Sequence, residues 1–448
     1  MKTLRMKTLR SLFRFSLAFG FGLLLAACGG GSSSDPDPGV QPPPDECSIA
    51  GQNLAIYETM QEFYLWYEEL PELDPTTFET QEALIDALRF EPLDRFSFIN
   101  PAETEEAFFG FGEFVGIGFR SRATEQVQVV SDVFENSPAE AGGLERGSVI
   151  LAVDGVPIAE VLEQPGGFSG ALGLSEVGVT VNLEFRNPDG QLLQEDFTKE
   201  VVAIPPVSAA RVFQLDGQTT GYLVFRNFVE PGVPALDAAF ADFRQAGVTQ
   251  LIVDLRYNGG GLVSVLEHFA DLLGSRIAPG ALFAQYRYND KNLNRNRSFF
   301  FEDLAPDGAL NLEKLVFIST GATASASEML INGMPPYVTT ATVGAPTFGK
   351  PVGQLGFRIC ENIFRPVSFE TVNALGEGDY FDGIPATCPA EDSIEFGFGE
   401  AGEASFDAAT HWLRFDFCPV TAASTKPQRS ALDLPVEERP RWQLIDAH

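Results

Sequence analysis

Three kinds of hydrophobic spacing follow one another along the chain. From residue 47 to about 100 the period is helical. "LAIYETMQEFYLWYEEL" places apolar residues three and four apart, and "TFETQEALIDALRF" continues the pattern with threonine available as N-cap. A break at "EPLDRFSFINPAE" closes this stretch. From about 104 to 203 the period shortens to two. "FVGIGFRS" (114–121), "VQVVSDV" (127–133), "SVILAVDGVPI" (148–158) and "VTVNLEF" (179–185) predict strands, with a short helix in "ENSPAEAGGLERG". From about 205 to 418 strands such as "TGYLVFRNF", "TQLIVDLRYNGGG", "KLVFIST" and "VTTATVGA" alternate with amphipathic helices, "VPALDAAFADFRQAG", "LVSVLEHFADLLG" and "ASASEMLINGM". That alternation predicts an α/β core with a mainly parallel sheet and its loops gathered at strand ends.

The first 28 residues belong to none of these patterns. Arg5, Lys7, Arg10 and Arg14 precede an apolar run over 15–27. That run is shorter than the roughly 20 residues a spanning helix needs, and it reads as an export signal. It ends in "LAAC", which resembles the bacterial lipobox, where Cys28 would be lipidated and become the first residue. An ordinary secretory signal containing a cysteine is the plain alternative. "GGGSSSDPDPGVQPPPDE" then reads as a flexible tether. The expected organisation is a lipoprotein signal peptide (1–28), a linker (29–46), a helical region (47–103), a small β-rich domain (104–203), the α/β core (204–425) and a tail (426–448). The expected place is the bacterial cell envelope, facing the periplasm, with Gly29 after the cysteine favouring the outer membrane. The membrane contact would be the lipid anchor alone.

Charge narrows the partners. The 448 residues carry 30 basic and 62 acidic side chains. Without residues 1–28, which hold five basic and no acidic residues, 25 remain against 62, a net charge of −37. Nucleic acid and an anionic membrane surface are poor partners for such a chain. Besides Cys28 there are four cysteines, Cys47, Cys360, Cys388 and Cys418, with no Cys-x-x-Cys or histidine cluster. An even count in an exported chain points to two disulfides and no metal. Three pairings are possible, and the expectation taken here is Cys360–Cys388 with Cys47–Cys418.

The chemistry is in "TASASEMLINGMPPYVTTATVGAPTFGKPVGQ". Ser325 follows a strand and opens a helix, so the next amide, that of Ala326, lies at the positive helix end where an oxyanion could be received. A run of this kind is also a plain helix start, and Ser327 competes for the role, although its side chain would point away. A serine nucleophile needs a base. Of the three histidines, His268, His411 and His448, the first two lack the small flanking residues of a catalytic loop. His268 reads as a helix-face residue and His411 as packing beside Trp412. Lys350 follows "APTFG" among apolar residues directly after a strand. An ordinary lysine, with a pKa of about 10.4, is no base at neutral pH, but burial lowers that value. The plain reading of Lys350 is a surface lysine after a turn.

Together these motifs resemble the C-terminal processing peptidases, or tail-specific proteases, over roughly residues 47–418. In that family the first serine of "SASE" is the nucleophile and the lysine of "TFGK" the base, twenty-five residues apart as Ser325 and Lys350 are here. The resemblance implies that Gln354 orients the lysine. It also implies that "DLRYNGGG" (254–261) supplies an oxyanion donor at Gly260, beside Gly261, to act with Ala326. Residues 104–203 resemble a PDZ domain, with Val115, Gly116, Ile117, Gly118 and Phe119 as its carboxylate-binding loop, so polypeptide substrates would be recognised through their C-terminus. The implied fold is a crotonase-like core plus PDZ domain and helical N-terminal segment, and the implied activity is a serine-type peptidase without cofactor. Two positions depart from the family pattern: Pro336 stands where many members have aspartate, and Pro351 where glycine follows the lysine. Two rival functions remain. One is a non-catalytic peptide-binding lipoprotein on the same scaffold, and the other a serine–histidine hydrolase.

Overall fold

The helical N-terminal pattern becomes two helices, α1 (Ile49–Phe63) and α2 (Gln81–Leu88). Each starts on a hydroxyl that meets an otherwise open helix amide: Ser48 Oγ accepts from Gly51 N, and Thr80 Oγ1 from Ala83 N. α1 stops before the periodicity does, because Tyr64 turns to an extended conformation. A short strand β1 (Phe98–Pro101) and helix α3 (Ala102–Glu106) follow. This computed structural model describes residues 45–91, 93–123, 127–302 and 308–420. The expected signal peptide with Cys28, nearly all of the linker, and the tail lie outside the described residues. Among the described residues no helix is long and apolar enough to cross a membrane.

The strand expected over 114–121 is two strands. β2 (Glu113–Gly116) and β3 (Phe119–Ala123) are separated by Gly118 at φ +103°. A Cβ there would lie 2.1 Å from Ser137 Cβ, so only glycine fits. Next come β4 (Gln128–Val133), α4 (Pro138–Ala141), β5 (Val149–Val153), β6 (Val156–Pro157), α5 (Ile158–Val161) and α6 (Gly167–Ala171). The hairpin β7 (Thr180–Arg186) and β8 (Leu192–Thr198) leads to β9 (Glu200–Ala203), which pairs back with β2. The main sheet runs β3-β4-β5-β7-β8, antiparallel throughout, with β3 on its edge.

A hairpin opens the core: β10 (Val207–Leu215) and β11 (Gln218–Phe225) meet at Asp216-Gly217, both at positive φ as a two-residue hairpin turn requires. Then follow α7 (Gly232–Ala246), β12 (Gln250–Asp254), α8 (Val263–Gly274), β13 (Leu282–Tyr288) and β14 (Arg297–Phe300). β15 (Lys314–Ser319), α9 (Ala326–Gly333) and β16 (Thr339–Gly344) continue the alternation. The sheet runs β10-β11-β12-β15-β16-β21, the last strand being β21 (Cys388–Pro389), and every pair from β11 onward is parallel. Alternate strand residues divide between its faces, as a period of two requires. Leu223, Leu251, Val253, Leu315 and Phe317 pack with α7, α8 and α9. Tyr222, Val224, Ile252, Val316 and Ile318 pack on the other side under α10 (Ala404–Phe415).

A second, antiparallel sheet is absent from the sequence reading. It is ordered β14-β13-β20-β17, where β17 is Val352–Gln354 and β20 is Val367–Asn373. The hairpin β18 (Phe357–Ile359) and β19 (Asn362–Arg365) between them pairs with β1. Ile56, Met60, Leu84 and Leu88 share one core with Val352, Ile359, Phe364 and Val367. The N-terminal segment is thus packed onto the region that follows Lys350.

The disulfides are Cys47–Cys360 and Cys388–Cys418, which corrects the expected pairing. Cys360 occupies the β18–β19 turn, at φ +53°, and that hairpin lies against the start of α1, where Asn362 Nδ2 bonds Gln52 Oε1. Cys388 is on the edge strand β21, and the chain leaving α10 returns beside it, so that Cys418 Sγ also touches Thr387 O.

Candidate active site

Two turns and one carboxylate make the centre. After β15 the chain bends through 320–325 and starts α9 at Ser325, which rests at φ +55° and ψ −115°. A side-chain-bearing residue there carries about 1–3 kcal/mol of strain, held by its surroundings. Ala324 N and Ser327 Oγ both donate to Asn258 O, each at 3.0 Å, which fixes the turn and occupies the Ser327 hydroxyl. Ser325 N donates to Glu328 Oε2 at 2.8 Å. Lys350 N donates to the same oxygen, also at 2.8 Å. Gly349 N and Thr347 Oγ1 reach Glu328 Oε1 at 2.6 and 2.5 Å. Glu328 is fully buried, which raises its pKa against the lowering effect of these four bonds. The main chains of Ser325 and Lys350 therefore meet at one atom.

Lys350 is 2% exposed, not a surface lysine. Its Nζ donates to Gln354 Oε1 at 2.6 Å, and Gln354 Nε2 donates to Phe96 O (2.7 Å) and Arg365 O (2.9 Å). Those two carbonyls can only accept, so they fix which end of the amide faces the lysine. Gln354 lies on strand β17, and a bulge between Gly353 and Gln354 lets it reach back. Burial holds the lysine well below its usual pKa. The Arg365 charge adds to this, while Asp94 and Glu328 oppose it.

The glycine loop after β12 packs on the serine turn. A Cβ on Gly260 would lie 2.8 Å from Ala326 N and from Ser325 Cβ. The Gly260 amide itself donates to Asn258 Oδ1 at 2.9 Å, so it is not turned to Ser325 as the loop stands. The loop's root is a buried charge cluster. Arg256 pairs with Asp254 (2.6 Å), Glu403 (2.9 Å) and Asp392 (3.1 Å), and Tyr257 OH also binds Asp392. The small domain grips the same loop, with Arg120 Nη1 on Tyr257 O at 2.5 Å and Arg146 on Tyr257 OH and Asp392. Arg226, at the end of β11, pairs with Asp132 and Glu135.

Of the other expected residues, Val115 and Gly116 end β2. Ile117 and Phe119 are buried in the small domain, and the Ile117 and Gly118 carbonyls accept from Ala139 N and Phe134 N. This holds the loop at the end of the edge strand β3. Two of the histidines are engaged elsewhere: His268 Nε2 meets Asp237 at 2.8 Å, and His411 Nδ1 meets Phe417 O, while His448 lies outside the described residues. No group of three or more metal-ligating side chains occurs among the described residues. Glu328, Asn258, Arg95 and Phe96 were missed in the sequence. Glu328 left a signal there, as the acidic residue three past the serine at a helix start, and Asn258 lies within the "DLRYNGGG" stretch; Arg95 and Phe96 left none.

The family model for peptidase family S41 matches residues 219–371, that for the peptidase S41 N-terminal domain 51–98, and that for a PDZ domain 129–184. The chain carries a peptidase family S41 domain. A carboxyl-terminal-processing protease of Picosynechococcus sp. is 27% identical over 280 residues, covering 59% of this chain and 63% of that protein. One of Synechocystis sp. is 26% identical, covering 56% of each. The chain thus spans less than two thirds of these relatives' length. A solved S41 protease candidate from Bacteroides fragilis shares the S41 fold with a TM-score of 0.64 and 26% identity, over 80% of this chain and 97% of that one. The photosystem II D1 C-terminal processing protease, at TM-score 0.50 and 20% identity, covers 76% of this chain and 92% of its own and agrees in fold alone.

Proposed function

We propose that this S41 chain is a serine-type endopeptidase of the bacterial envelope, built on a crotonase-like core, that cleaves unfolded or C-terminally recognised polypeptides. The observation that carries the reading is the buried Lys350, held by Gln354 and joined to Ser325 through Glu328. Neutral Lys350 takes the Ser325 hydroxyl proton as the oxygen attacks the peptide carbonyl. The oxyanion is received by the Ala326 amide and the Gly260–Gly261 turn, where a rotation of the 259–260 peptide would free the Gly260 N–H. The lysine ammonium then protonates the leaving amine; the neutral lysine so formed takes a proton from the water that attacks the acyl-enzyme and passes it to Ser325 Oγ as the acid leaves. Replacing Ser325 or Lys350 by alanine is expected to lower kcat/KM by about 10⁴-fold or more, with the double variant no worse than either, because the pair acts as a unit. Peptidase assays on folded variants check this, and an active Lys350→Ala enzyme refutes the assignment.

The envelope location rests on the first 28 residues. Cys28→Ser is expected to release the protein into the soluble fraction on cell fractionation, and unchanged membrane partition would refute the lipid anchor.

A further inference from the structure

The pocket around the lysine is finished by a loop outside the peptidase core. Asp94 builds that loop: its Oδ1 accepts from Phe96 N and Ser97 N, both at 2.9 Å, and its Oδ2 from Ser97 Oγ (2.6 Å) and Tyr64 OH (2.8 Å). Ser97 Oγ in turn accepts from Val367 N at 3.0 Å, which locks the loop to β20. Three contacts run from it to the lysine. Phe96 O holds the Gln354 amide. The Phe96 ring, itself fully buried, lies with its centroid 5.6 Å from Lys350 Nζ. Arg95 Nη2 donates to Phe348 O (2.9 Å), Gly349 O (3.1 Å) and Phe381 O (3.1 Å), clamping the two residues that precede the lysine.

We propose that the Asp94–Ser97 loop is a positioning element for the base, in which Phe96 walls off Lys350 from water and Arg95 fixes the turn that presents it. This rests on reading Lys350 as the base. The charged groups that face the lysine are Arg365 from β19, Asp94 from the loop and Glu328 from α9. Desolvation is the largest of the influences, Arg365 acts with it and Asp94 and Glu328 act against it, so what excludes water bears most on whether the amine is neutral. The attraction of the Phe96 ring for a cation acts the other way, so the direction in which the lysine titration moves when the ring is removed tells which effect of the ring prevails.

The test uses enzyme labelled with ¹³C at lysine Cε, so that the Lys350 titration is read by NMR independently of turnover, alongside pH profiles of kcat/KM. In Phe96→Ala both the titration and the rising limb of kcat/KM are expected to move upward together, by about one pH unit or more, with KM little changed. Phe96→Leu, which keeps an apolar wall, is expected to stay near the parent. Arg95 is only half-buried, and Arg95→Gln, which should fold even if Phe96→Ala does not, is expected to lower kcat by about tenfold at constant KM. A Lys350 titration unmoved in Phe96→Ala overturns the proposal even if activity falls, because that is the result of a merely structural role. An unchanged kcat in Arg95→Gln also overturns it. An active Lys350→Ala parent overturns the base assignment instead.

Discussion

At the scale of residues, burying Lys350 trades stability for chemistry. An unfolded chain binds a proton on this amine up to its ordinary pKa of 10.5, whereas the folded pocket releases it well below that. Folding therefore gains stability as pH rises between the depressed value and 10.5, where the unfolded state binds more protons. Lys350→Met should abolish activity yet remove this dependence, so the variant's stability relative to the parent should be greatest at low pH and decline as pH approaches 10.5. The change leaves Gln354 Oε1 without its donor, costing about 1 kcal/mol, which offsets the gain but does not alter the slope. Denaturant unfolding at several pH values checks it, and parallel stability curves would refute it. Ser325, Lys350 and Gln354 were legible because they lie close in sequence and their spacing is informative. Arg95 and Phe96 were not, since they meet Phe348 and Gln354 from about 250 residues away and nothing local marks a donor or carbonyl as destined for that contact.

Among the elements, the edge strand β3 makes the sharpest statement. Edge strands expose unpaired backbone groups that invite another chain, and β3 begins where the 115–119 loop ends. A peptide added to β3 would bring its terminal carboxylate to that loop. Amidating the C-terminus of an apolar-ended peptide should therefore weaken binding by about tenfold or more, whereas changes far upstream should matter less. Calorimetry on matched peptides checks this, and equal affinities would refute it. The parallel strands were legible because buried runs alternate with amphipathic helices. The split at Gly118 and the antiparallel sheet β14-β13-β20-β17 were not. The first turns on one residue's φ, and the second pairs residues as far apart as Ala284 and Asn373, with Val352–Gln354 only three residues long. The cysteine pairing failed for a like reason: spacing counts cysteines, but only the placement of hairpin and helix decides which two meet.

For the whole molecule, the two disulfides divide the work of constraint. Cys388–Cys418 closes a separation of 30 residues, and opening it should cost about 3–4 kcal/mol on the chain-entropy account. Cys47–Cys360 spans 313 residues and ties the N-terminal segment to the hairpin that carries Arg365. Its removal by paired serine substitution should lower kcat as well as stability, while the Cys388–Cys418 pair should affect stability alone. Unfolding and turnover measured on both variants check this, and equal loss of kcat in the two would refute it.

The same linkage pattern governs what a gel would reveal about self-cleavage. A peptide bond broken anywhere between residues 47 and 360, or between 388 and 418, leaves the fragments joined through sulfur. Within the span from 47 to 418, only a cut between 360 and 388 parts the chain into separable pieces. A peptidase that nicks its own copies inside either closed loop during purification would therefore migrate as an intact molecule until reductant is added, and a band of full size would not by itself certify an uncut enzyme.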